Sequence, residues 1–147
     1  MAWRKPTEAD IVATLSRDEV EAYRASSDFE DDPIARLLDR TASLVRGYLA
    51  TNGNIRMSPD DHEIPEATIS PAMDYLAVDI LKRIDINPSD ARRDARREAV
   101  SYFDKIASGR LTVESYGGAA DDKTGGACAV VINNSRPHVT SHKLEGL

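Results

Sequence analysis

Apolar residues in this chain return every three or four positions over three long stretches, and then the rhythm changes. Ile34, Leu37, Leu38, Thr41, Ala42, Leu44, Val45, Tyr48 and Leu49 share one wide helical stripe. Asp32-Pro33 sets its start, because aspartate caps free amides and proline suits the first helical position. Asn52-Gly53-Asn54 is expected to end it through residues that tolerate a left-handed backbone. Ser70-Pro71 opens a second helix by the same logic, carrying Met73, Leu76, Ala77, Ile80, Leu81 and Ile84. Tyr75 and Val78 widen its apolar surface, so a central position is expected. Asn87-Pro88-Ser89 breaks it, and Ser89 caps a third helix over about 90–108 with Ala91, Ala95, Ala99, Tyr102, Phe103, Ile106 and Ala107 inward and Gly109 as the stop.

Two shorter helices precede these. Thr7 is read as the cap of one over 7–15, with Glu8 and Asp10 facing the positive end of its dipole. Ser16 and Glu19 form a capping box for another over 17–25. Residues 52–69 show no period and predict a long loop with a short extended piece at 55–57. Beyond Gly109, residues 111–116 alternate like a short strand, 117–126 have linker composition, and the apolar run 127–132 is β-prone. That run has three readings: a core strand, an aggregation hazard, or a strand added to another chain's sheet edge. The fold class is therefore mainly α: a small bundle of three long and two short helices over 1–110, followed by an extended C-terminal arm over 111–147 with short β-prone segments.

The chain has 147 residues, 41% hydrophobic and 30% charged, which suits one domain with a single core. No apolar run reaches the length of about 18 residues that spans a bilayer. MAWRKPTEAD lacks the apolar segment of a secretory signal, so a cytoplasmic location is expected. The lone Cys128 excludes an intramolecular disulfide. A net charge of −6 means that any contact with nucleic acid must come from a local patch.

Candidate chemistry is sparse. Asp60, Asp61, His62 and Glu63 offer metal-ligating atoms, but neighbours in an extended loop point apart, and a solvated acidic loop is preferred. His138 and His142 have helical ligand spacing, which Pro137, Val139 and Thr140 oppose, so zinc with Cys128 is not expected. No GxSxG, HExxH, GxGxxG or GxxxxGK[ST] motif occurs, and neither enzymatic activity nor a cofactor is expected. The marked charged feature is Arg92, Arg93, Arg96 and Arg97, read as one side of the third long helix. It is either a basic stripe for phosphates or a neighbouring subunit, or a solvated face laced by Asp90, Asp94 and Glu98, and the second is preferred.

Several stretches together resemble a known family. Thr7, Asp10 and Ile11, the helix IARLLDRTASLVRGYL (34–49), Ile64-Pro65, LAVDIL (76–81), EAVSYFDKIASGRLTV (98–113) and the ending SRPHVTSHKLEGL (135–147) resemble the phage Mu-like head-to-tail connector (neck or adaptor) proteins. The resemblance runs over most of 7–147, while loop 52–63 is more acidic than the family pattern. It implies a non-enzymatic virion protein of a tailed phage or prophage, present in the host cytoplasm during assembly. Such a protein forms a homo-oligomeric ring, commonly a dodecamer, beneath the portal protein. A tail-side neck or tail-terminator protein would be its other partner, with DNA passing through the ring without sequence-specific binding and no membrane involved. The arm then becomes a docking strap for the portal or a neighbouring subunit. Val130, Val131, Ile132, Val139, Leu144 and Leu147 would be its apolar anchors, and Arg136 and Lys143 its orienting charges. The alternative is a small helical nucleic-acid-binding or regulatory domain using the Arg92–Arg97 stripe.

Overall fold

The computed structural model describes residues 2–27 and 31–117. In chain order they form β1 (Trp3–Arg4), α1 (Glu8–Thr14), α2 (Arg17–Ala25), α3 (Pro33–Thr51), β2 (Ile64–Pro65), α4 (Glu66–Arg83) and α5 (Asp90–Ala107). The protein is mainly helical, and its five described helices are the three long and two short ones read from the pattern. Among the described residues no helix is long and apolar enough to cross a membrane. The predicted segments at 28–30 and 118–147, including Cys128, His138, His142 and every arm anchor, lie outside the described residues.

Local signals act where the sequence places them. The Ser16 hydroxyl accepts from the Glu19 amide at 3.3 Å while the Glu19 carboxylate accepts from the Ser16 amide at 2.9 Å. The Asp32 carboxylate accepts from Ile34 N–H at 3.0 Å, and the Ser89 hydroxyl from Arg92 N–H at 3.3 Å. Gly109, with φ 74°, closes α5 in the left-handed region as expected. The expected end of α3 is different. Asn52 keeps φ at −89° and stops the helix with its side chain, donating to Ile106 O at 2.9 Å and accepting from Asn54 N–H at 3.1 Å. Its amide thereby ties the end of α3 to the end of α5.

Helix α4 begins at Glu66, four residues before the predicted Ser70 cap. Pro71 therefore lies inside the helix, where it cannot donate to the Ala67 carbonyl. The Tyr102 hydroxyl approaches that carbonyl from α5 at 3.4 Å. The early start follows from Thr68, fully buried, whose hydroxyl donates to Pro65 O at 2.7 Å. At its other end α4 stops at Asp85, φ 58°, with Ile86 N–H returning to Leu81 O at 2.9 Å, ahead of the predicted Asn87-Pro88 break.

The central position expected for α4 is observed: it packs against α1, α2, α3, α5 and β2. Ile69, Ala72, Met73, Leu76, Ala77, Ile80 and Leu81 are buried there against Ile11, Val20, Ile34, Val45, Leu49, Phe103 and Ile106. Tyr48 stacks on Phe103 with ring centroids 5.5 Å apart. Ala91, predicted inward, is exposed, and in this first turn of α5 it is Arg92 that reaches the bundle, at Thr14 O.

The strand predicted at 111–116 does not form, and the extended piece read at 55–57 is not part of a sheet. Residues 55–57 and 111–116 are irregular, and the described strands are instead the pair with Trp3 opposite Pro65 and Arg4 opposite Ile64. Arg46 organises the loop between α3 and β2, donating at 2.9 Å to each of the carbonyls of Ser58, Asp60 and Glu63. Trp3, 8% exposed, lies beneath, with the Arg46 guanidinium 6.0 Å from its ring centroid. Residues 111–117, assigned by the sequence to the arm, lie against the body. Trp3 Nε1 donates to Glu114 O at 2.9 Å, Tyr116 N–H donates to Arg56 O at 2.8 Å, and Leu111 and Val113 pack on the core.

The N-terminal segment is pinned by charge. Arg4 makes two hydrogen bonds of 2.9 Å to the Asp10 carboxylate, which also accepts from Thr7 N–H at 2.7 Å. Arg4, with Thr7 assisting against the cost of burial, holds Asp10 down at about 2 from 3.8.

Two expectations follow. Arg46→Ala leaves three carbonyls without their donor and should lower stability by about 2–3 kcal/mol in urea titration, with a change in Trp3 fluorescence. Asp10 has a folded-state pKa below its ordinary value, so its contribution is complete above about pH 5 and is lost as pH falls through 3.8 toward about 2. The stability gap between wild type and Asp10→Asn, about 1 kcal/mol near neutrality after screening, should close over that window.

Candidate docking face

Four arginines on one helix need not share one role, and those of α5 do not. Positions four apart lie one above the other on a helix, so Arg92 and Arg96 form one row and Arg93 and Arg97 the next. Arg92 is turned toward the bundle, donating through Nη2 to Thr14 O at 2.5 Å. Near it, burial raises the pKa of the Asp74 carboxyl, and Arg92 only partly offsets this. Arg96 donates to the Asp79 carboxylate at 2.7 Å, and its guanidinium carbon sits 4.3 Å from the Tyr75 ring centroid. Burial works against its charge, but Asp79 and Tyr75 outweigh that and raise its pKa.

Arg93 and Arg97 face outward. Arg93 donates to Asn87 Oδ1 at 2.6 Å and lies 3.7 Å from Asp90, while Arg97 pairs with Asp94 at 3.1 Å. The acid-laced reading of this helix is thus realised for the outer row. The single stripe is replaced by two rows, one built into the packing.

Arg96, Tyr75 and Asp79 form a wall between two clefts that flank the C-terminal half of α4. The cleft toward α2 and α3, about 520 Å³, is lined by Tyr23, Leu37, Arg40, Leu44, Tyr75, Asp79 and Arg83 among others. The cleft toward α5, about 440 Å³, is lined by Val78, Lys82, Arg93, Arg96, Arg97 and Val100. Val78 is 2% exposed yet stands outside the contiguous core, as the floor of this second cleft. Arg40, Lys82 and Arg83 have no ion-pair partner among the described residues. Ile86, at 44% exposure, immediately precedes the Asn87 that holds Arg93.

The loop once weighed as a metal site is dispersed. Asp60 pairs with Lys5 at 3.0 Å, His62 Nδ1 lies 3.0 Å from Asp39, and the Glu63 carboxylate accepts from the Ser58 hydroxyl at 2.5 Å. Among the described residues no three His, Cys, Asp or Glu side chains gather as a metal-binding group.

Arg40, Asp79, Lys82 and Arg83 were not singled out in the sequence, and Tyr75 was read only as apolar surface. A signal was available: 75, 79, 82 and 83 fall at i, i+4, i+7 and i+8, a polar stripe on an otherwise apolar helix. No protein family, curated protein or solved structure matches the chain.

The two rows should separate in mutagenesis. Arg96→Gln should cost about 1–2 kcal/mol in urea titration, because it strands Asp79 and uncovers Tyr75. Arg97→Ala should stay within about 0.5 kcal/mol of wild type.

Proposed function

We propose that this protein is a structural head-to-tail connector subunit of a tailed phage or prophage, acting in a homo-oligomeric ring beneath the portal that joins the DNA-filled head to the tail. It works in the virion and is made in the host cytoplasm. The observation that carries the reading is the two-cleft face: on a chain of net charge −6, six cations and one carboxylate line adjoining concavities floored by apolar groups. A ring subunit needs two different surfaces that complement each other, because each contact joins one face of a copy to another face of the next. Concentrated cations over aliphatic and tyrosine surface supply one such face, with charge for orientation and apolar area for adhesion.

The resemblance of the helix faces and of SRPHVTSHKLEGL to connector proteins supports the same reading. In this reading Val130, Val131, Ile132, Val139, Leu144 and Leu147, with Arg136 and Lys143, form the strap that contacts portal or neighbour. Function in this reading is mechanical: the subunit holds position and transmits load, with no chemical step.

Deleting residues 127–147 tests it. The shortened protein should keep the helical circular dichroism and cooperative unfolding of the body, yet fail to build rings with the portal under negative-stain microscopy. Rings formed as readily by the shortened protein as by the full chain would overturn the strap.

A further inference from the structure

We propose that the basic α4–α5 cleft receives the acidic α2–α3 edge of a second copy of this chain, in a head-to-tail contact. Six cations and Asp79 line the two clefts, and Asp90 and Asp94 stand beside Arg93 and Arg97, so these clefts keep a positive surplus on a chain whose total is −6. A subunit with a basic cleft and an acidic edge favours a contact between unlike surfaces over one between like surfaces.

The acidic counterpart is identifiable. Arg24 is outnumbered by Glu8 at 2.8 Å, Glu21 at 2.7 Å and Asp32 at 4.0 Å. Asp31, beside Asp32, pairs with Arg36 at 2.8 Å yet keeps 72% of its side chain exposed, so four carboxylates face two arginines along this edge. This edge therefore presents surplus carboxylate where α2 and α3 approach each other.

The cleft suits a protein face better than a phosphate backbone. Its floor is Val78 and Val100, which offer nothing to a phosphate and much to an aliphatic side chain. Arg93, Arg96 and Arg97 already stand beside Asp90, Asp79 and Asp94, so the field they project is moderate. Lys82 adds one uncompensated charge to the cleft's lining, and the exposed Ile86 precedes the Asn87 that holds Arg93. Closure of such contacts into a ring rests on the connector reading, but the contact itself does not.

The test uses full-length protein in sedimentation velocity and native mass spectrometry, up to millimolar concentration. Wild type should self-associate at low salt and dissociate at an ionic strength of about 1 M, where the Debye length is about 3 Å. Arg93→Glu with Arg97→Glu should be monomeric, and so should Glu21→Lys with Asp31→Lys. All four side chains are more than two-fifths exposed, so both variants should fold, which circular dichroism checks. Mixing the two variants should restore association, because each supplies an opposite charge to the other's altered face.

A wild type that stays monomeric throughout overturns the proposal. So does an arginine variant that associates like wild type, or a mixture that remains monomeric. Loss of duplex DNA binding in the arginine variant with self-association unchanged would assign the cleft to phosphate instead. Rings that persist in the arginine variant would refute this contact and leave the connector reading standing. Open chains that vanish in it would support the contact and refute the ring.

Discussion

Burial of α4 is the constraint from which the rest of the structure follows. Apolar residues occupy more than one of its faces, and a helix of that kind is stable in water only when enclosed. Here α1, α2, α3 and α5 provide the enclosure, and β2 leads directly into its first turn. Pro71 within the helix interrupts one backbone bond, and the Tyr102 hydroxyl from α5 approaches the freed carbonyl. In its C-terminal half the helix borders two clefts, where Tyr75, Asp79, Lys82 and Arg83 replace apolar groups.

Around that helix, single polar side chains order the segments that lack a repeating pattern. One guanidinium, Arg46, supplies donors to three loop carbonyls, and one amide, Asn52, joins the ends of α3 and α5. One indole, Trp3, holds the stretch after α5 through Glu114. These bonds span 12 to 111 positions of sequence, so each ties together elements that hydrophobic packing alone would leave loosely registered. No buried side-chain polar atom is left without a partner among the described residues.

The same economy shapes the candidate face. Arg92 and Arg96 are drawn into packing, which leaves Arg93 and Arg97 as the outward pair, with Lys82 beside them and Arg40 and Arg83 in the neighbouring cleft. Charge is thereby sorted by direction on a protein that is acidic as a whole.

The sequence by itself determined the five helices, the caps at Ser16, Asp32, Ser89 and Gly109 and most of each inward stripe, because those signals are local: spacing of 3.6 residues, a hydroxyl or carboxylate ahead of free amides, a glycine where φ turns positive. Ser16 with Glu19, Asp32 with Pro33, and Gly109 all act where the pattern puts them. Tertiary structure alone decided the early start of α4, the pairing of Trp3–Arg4 with Ile64–Pro65, the Arg46 clasp and the division of the α5 arginines into two rows. Each of these depends on a partner distant in sequence, and a side chain long enough to choose among several partners shows no preference until the packed helices fix which one lies within reach.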